Sequence, residues 1–224
     1  MHPLQQDTCY HIFNHANGFE NVFREAENYR YFLEKYRLYI SPIAETYAYC
    51  LMPNHFHLVV RIRKREEIEK LIYFRNSANN QNLSNNLNFS KVSNFGKVSS
   101  IVIEKYLSKQ FANLFSCYTQ SFNKCYNRMG SLFIKNFKRE PILDKDYFLQ
   151  AIIYVHRNPI HHHFTTNFED WDFSSYLPVI HQRSEIVNTS KLLKVFGGIG
   201  EFIDLHQQNF KNYLLINNPI PSDL

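Results

Sequence analysis

Apolar and polar residues first alternate over Cys9-Tyr10-His11-Ile12-Phe13-Asn14, which reads as a strand, and Asn17-Gly18 marks a turn beyond it. From about Glu25 to Ile40 the period changes, with Tyr29, Phe32, Leu33, Tyr36, Tyr39 and Ile40 recurring at helical spacing. Two strands are expected next, Ala44–Leu51 and His55–Val60, joined by a turn at Pro53-Asn54. Lys64–Phe74 reads as a short helix and Ile101–Asn127 as a long amphipathic one, with Phe111, Leu114, Phe115, Tyr118, Phe122 and Tyr126 on one stripe. Gly130-Ser131 breaks that helix, and Leu132–Lys138 reads as a further strand. A last helix starts from Asp144, a good N-cap, carries Phe148, Ile152 and Val155 on its apolar side, and is expected to end at Pro159. This order predicts the α+β class, with an antiparallel sheet packed against helices on one face.

Two stretches depart from the pattern. Residues 76–100 contain eight Asn and six Ser, a composition that buries little and reads as an insertion. Residues 181–224 read as a C-terminal helical extension, in which Val195–His206 suggests a turn and a short helix. The domain proper is expected over 1–180.

The candidate chemistry lies on two of these elements. Strand side chains alternate, so His55 and His57 project to one face while Phe56 enters the core on the other. Two imidazoles side by side make a ready pair of metal ligands. On the last helix Tyr154 and Asn158 are four apart and share a face, offering a nucleophile and a third ligand if they meet the histidine strand.

Together these segments resemble the single-tyrosine HUH transposases, especially the REP-associated tyrosine transposases and related insertion-sequence transposases. The resemblance runs through Tyr10-His11-Ile12-Phe13-Asn14, Pro53-Asn54-His55-Phe56-His57-Leu58-Val59-Val60, Tyr126–Phe133, Tyr154-Val155-His156-Arg157-Asn158-Pro159-Ile160 and Trp171–Tyr176. It implies a ferredoxin/RRM-like HUH endonuclease fold in which His55, His57 and Asn158 bind a divalent metal and Tyr154 attacks a DNA phosphate. The products it implies are a covalent 5′-phosphotyrosine and a free 3′-hydroxyl. Two imidazoles and one carboxamide leave coordination positions open for phosphate and water, which suits Mg²⁺ or Mn²⁺ better than a closed zinc site. The implied partner is single-stranded DNA next to a hairpin, and the implied assembly a monomer or homodimer.

Charge supports a polyanionic partner mildly, since Lys+Arg number 25 against 20 Asp+Glu. Lys124, Arg128, Lys135, Lys138 and Arg139 bracket the turn and strand before the tyrosine helix, and Arg157 follows Tyr154, so these six are candidate phosphate contacts. His161-His162-His163 is not assigned a ligand role, and His15-Ala16 stands where relatives often carry Arg-Gly. Cys9, Cys50, Cys117 and Cys125 show no paired spacing, as expected of reduced thiols. No basic leader precedes an apolar core, and no apolar run approaches membrane length. The expected location is therefore the cytoplasm, with nucleoid association during action and no membrane partner.

Two other functions compete. A histidine-triad hydrolase needs a third histidine at position 59, where Val59 stands. A catalytically silent DNA- or RNA-binding protein on the same scaffold remains the reading from another class. Retention of His55, His57, Tyr154 and Asn158 together weighs against it.

Overall fold

The computed structural model describes residues 3–79 and 98–212, with side chains over 3–75 and 98–208. Four strands, β1 (Cys9–His15), β2 (Ala44–Met52), β3 (His55–Ile62) and β4 (Lys138–Ile142), form one antiparallel sheet in the order β2-β3-β1-β4. Among the described residues seven α-helices surround it: α1 (Ala26–Tyr39), α2 (Arg65–Asn79), α3 (Ser100–Cys125), α4 (Lys145–His161), α5 (Tyr176–Ile180), α6 (Thr189–Phe196) and α7 (Ile199–Asn212). Strand β3 lies between β1 and β2, so the β1–α1–β2 crossover steps over it, and β4 returns to the far side of β1. None of these helices is long and apolar enough to cross a membrane. All four cysteines are unbridged.

The sheet is covered on both faces, not one as the pattern predicted. Phe56 meets Phe32 of α1 and Phe115 of α3 at ring separations of 5.3 and 5.7 Å, which seats those helices on its face. On the opposite face α4 lies across β2 and β3. The reason is visible in the strands: Ala48–Met52 and Phe56–Val60 are buried throughout, and a strand without an exposed side needs a layer against each face.

Two other expectations are corrected. Residues 132–137 do not form a strand; Phe133 makes one isolated bridge to Ala16, and pairing along β1 starts only at Lys138. Asn136 has a positive φ of 63°, which interrupts the extended run. β4 then tolerates Pro141 because it is an edge strand. Helix α4 also continues past Pro159 to His161. In the last turn the proline removes a single donor, and His162 N–H still closes the helix on Asn158 O at 3.0 Å. Its start is as predicted, with Asp144 Oδ1 accepting from Tyr147 N–H at 2.7 Å.

The Asn- and Ser-rich stretch lies largely outside the described residues; 76–79 complete α2, and Ser99 caps α3. The C-terminal segments border β2. Leu51 N–H donates to Phe173 O, Ser175 N–H to Tyr49 O and Asn188 N–H to Thr46 O, at 3.0, 2.9 and 3.2 Å.

Candidate active site

In the β1–β3 ladder His15 stands opposite His55, Phe13 opposite His57 and His11 opposite Val59. Directly opposed residues share a face, so β1 adds His11, Phe13 and His15 to the surface that carries His55 and His57. Helix α4 crosses this surface with Tyr154 and Asn158 one turn apart. His57 and Asn158 are fully buried and His55 is 2% exposed. Tyr154 is half-buried, its ring edge-on to those of His57 and His11 at 5.4 and 5.8 Å.

The hydrogen bonds orient each imidazole. His55 Nδ1–H donates to Asn54 Oδ1 at 2.8 Å, which leaves a lone pair on Nε2. That nitrogen lies 2.9 Å from Asn158 Oδ1, and Asn158 Nδ2 is buried with no hydrogen-bond partner among the described residues. With the proton on Nδ1, the two lone pairs at this distance repel unless a cation lies between them, the carboxamide turns to offer N–H, or the ring carries a second proton and donates to both oxygens. Adjacent donors on an octahedral cation with ~2.1 Å bonds are about 3 Å apart, so the pair fits a divalent metal. His57 Nδ1 lies 3.0 Å from His11 Nε2; with the proton on His57, any ligand of that ring meets its Nε2. His15 stacks on His55 at 4.6 Å, and His162 meets His55 edge-on at 5.0 Å.

No three His, Cys, Asp or Glu side chains among the described residues form a metal-binding group by themselves. The pair at ligand spacing is His55 Nε2 and Asn158 Oδ1, and His57 lies on the same sheet face. The structure therefore brings together the four residues singled out by spacing, His55, His57, Tyr154 and Asn158. Spacing alone passed over His11, His15 and His162. Strand register is what gathers the first two, and His162 arrives because α4 runs past Pro159.

The basic candidates separate. Lys138 is exposed opposite Phe13, on the histidine face. Glu140 faces His11 across the same ladder. Arg139 alternates to the other face, while Lys124 is exposed in the last turn of α3 and Lys135 is exposed in the segment before β4. The guanidinium of Arg128 pairs with Glu20 and donates to Asn123 Oδ1 and Ser131 O, both at 2.9 Å, so it holds its turn together. Arg157 is buried and lies near His206 of α7, not on the surface beside Tyr154.

Behind Tyr154 a buried polar chain ties α4 to its surroundings. Ser175 Oγ–H donates to His156 Nε2 at 2.7 Å, His156 Nδ1–H to His206 Nε2 at 2.9 Å, and His206 Nδ1–H to Phe202 O at 2.6 Å. Burial holds His156 well below the usual imidazole range, with the charge of His206 adding to it. Burial likewise pushes His206 down to about 3, opposed by the Phe202 carbonyl and assisted by Arg157.

No family model matches the chain, and no curated protein does. Among solved structures it is similar to a REP-associated tyrosine transposase bound to a REP hairpin, at 12% identity and a TM-score of 0.48, over 81% of this chain and 84% of that one.

Proposed function

We infer that this chain is a divalent-metal-dependent, single-strand DNA endonuclease and strand transferase whose nucleophile is Tyr154. The supporting observation is the meeting, on one buried sheet face, of a tyrosine with a donor set of two imidazoles and a carboxamide. This is the chemistry of the single-tyrosine HUH transposases that the sequence resembles. His55, His57 and Asn158 are the residues that would hold Mg²⁺ or Mn²⁺, which withdraws charge from a bound phosphate.

The chain's own groups do the rest. Tyr154 Oη attacks phosphorus, forming an O–P bond as the bond to the 3′-oxygen breaks. The phenolic proton is lost to solvent, and the departing 3′-oxygen takes one up. The 5′-phosphate stays on Tyr154, and this ester conserves the energy of the cleaved link, so the strand can be rejoined without ATP. The absence of any GxxxxGK[ST] sequence agrees with that. Lys138, exposed on the histidine face, would meet a phosphate on the way to Tyr154, with Lys124, Lys135 and Arg139 as further contacts. Arg128 and Arg157 serve the fold instead. One chain carries all four central groups, and the assembly is a monomer or homodimer.

The test uses three labelled DNAs drawn from the sequence flanking the coding region: a hairpin with an unpaired tail, the tail alone and a full duplex. Tyr154→Phe should abolish cleavage and the covalent adduct on the tailed hairpin yet leave affinity within about twofold, because only the reacting oxygen is lost. Cleavage by that variant, or equal cutting of all three DNAs by the unaltered protein, contradicts the scheme.

A further inference from the structure

A cleft of about 480 Å³ opens between α3 and the segment from Ser131 to Arg139, within the ~300–1,000 Å³ range of small-ligand sites. It is not the histidine site. Its lining residue Asn14 alternates with His15 along β1, and Arg139 with Glu140 along β4, so the cleft occupies the opposite face of the sheet. Its floor is aromatic: half-buried Phe115 meets the buried rings of Phe133 and Phe137 at ring separations of 5.4 and 5.5 Å, and Phe137 is itself stacked on Phe111. Ser116 and Thr119 of α3 form one wall, and exposed Lys135 stands at the rim.

Arg139 gives the cleft its chemistry. Its guanidinium sits 5.0 Å over the Phe137 ring, and its buried Nε has no hydrogen-bond partner among the described residues. Burial lowers its pKa, and Glu104 of α3 is the acidic group that offsets this. A half-buried cation over an aromatic ring, with donor capacity unused, suits a ligand that is both anionic and planar.

The cleft is also coupled to the histidine site through the backbone. Asn14 Nδ2 donates to Ile134 O at 3.1 Å, and Ile134 N–H donates to His15 O at 3.0 Å. The segment that lines the cleft is thus fastened to the strand end that stacks His15 on His55.

We propose that this cleft seats one unpaired nucleotide of the DNA strand cut at Tyr154, with its base against the half-buried Phe115 ring of the floor and its phosphate on Arg139 and Lys135. The proposal rests on the nuclease reading above and adds a binding subsite to it. A base inside a duplex is stacked and paired, so only an unpaired one can enter. The strand would round the end of β1, one nucleotide gripped on the far face while a phosphate is offered on the near one.

The test is an abasic scan. A labelled stem-loop DNA with unpaired tails is prepared with a single base removed at each tail position in turn, and binding is read by fluorescence anisotropy. With the unaltered protein, one abasic position should weaken binding about 5- to 150-fold, the range for loss of one stacked base. Ser116→Phe and Ala112→Phe fill the cleft from exposed positions of α3. Both should bind the intact DNA as weakly as the unaltered protein binds that abasic DNA, and be indifferent to that abasic position. A flat scan, or filled variants that bind like the unaltered protein, overturns the subsite. If the unaltered protein still cleaves the tailed hairpin while the scan is flat, the nuclease reading stands and the subsite alone falls. If it neither binds nor cuts any of these DNAs, both fall.

Discussion

His11 is one of eleven histidines, and nothing in its local sequence separates it from the others. Its meaning comes from register, which sets its Nε2 3.0 Å from Nδ1 of His57. An acceptor at that point fixes which nitrogen of His57 carries the proton, and so which one can ligate a cation. His11→Phe keeps a ring and removes the acceptor, whereas His11→Gln restores one. The Phe variant should bind Mn²⁺ about 10- to 100-fold more weakly, by titration calorimetry, and the Gln variant should recover most of the loss. Equal affinity in both variants would reduce the contact to packing. The site was thus legible in the sequence only where spacing carries it. His55 and His57 share a face by strand alternation, and Tyr154 and Asn158 by helical repeat. A lone histidine on another strand becomes informative once its pairing partner is known.

At the scale of elements, α4 is held from behind by the chain Ser175–His156–His206 as well as by its apolar side. Both imidazoles must be neutral to keep those bonds, and both are held below the usual range, chiefly by burial. A base whose folded pKa is depressed stabilises the fold fully above its unfolded value, about 6.5, and loses that contribution as pH falls toward the folded value. For His206, pushed down to about 3, the window runs from near pH 6.5 down to near pH 3, and linkage bounds the loss at about 4–5 kcal/mol. His206→Leu should therefore be less stable at pH 7 but show a shallower decline through this window, measured by urea unfolding at several pH values. A parallel decline in both proteins would remove His206 as its source. The same scale shows where pattern reading succeeds. The apolar stripe of α3 gave that helix nearly to its ends, because a long period outvotes single residues. Residues 132–137 misled because a single left-handed position, Asn136, breaks a strand without altering its apolar alternation.

For the whole molecule, the sequence indicated the α+β class, but the second covered face depends on chain order far downstream. The layer that closes the histidine side, α4, is some ninety residues removed from the strands it covers. The same distance hides the protection of β2, an edge strand in the sheet order. Its outer backbone groups are met by Phe173, Ser175 and Asn188, and Val187 bridges to Thr46. Val187 and Asn188, in the stretch expected as an appended extension, therefore supply part of the seal on a hydrogen-bonding edge. An uncovered edge is a template for pairing with another chain. A version ending at residue 182 should for that reason not behave as a trimmed nuclease. It should self-associate, with light scattering that rises with concentration and a dye response typical of cross-β assemblies, while the longer chain stays clear. A stable, fully active monomer from that truncation would disprove the seal. On this reading, two residues of an apparent appendage would set whether a strand edge is open to a neighbouring chain.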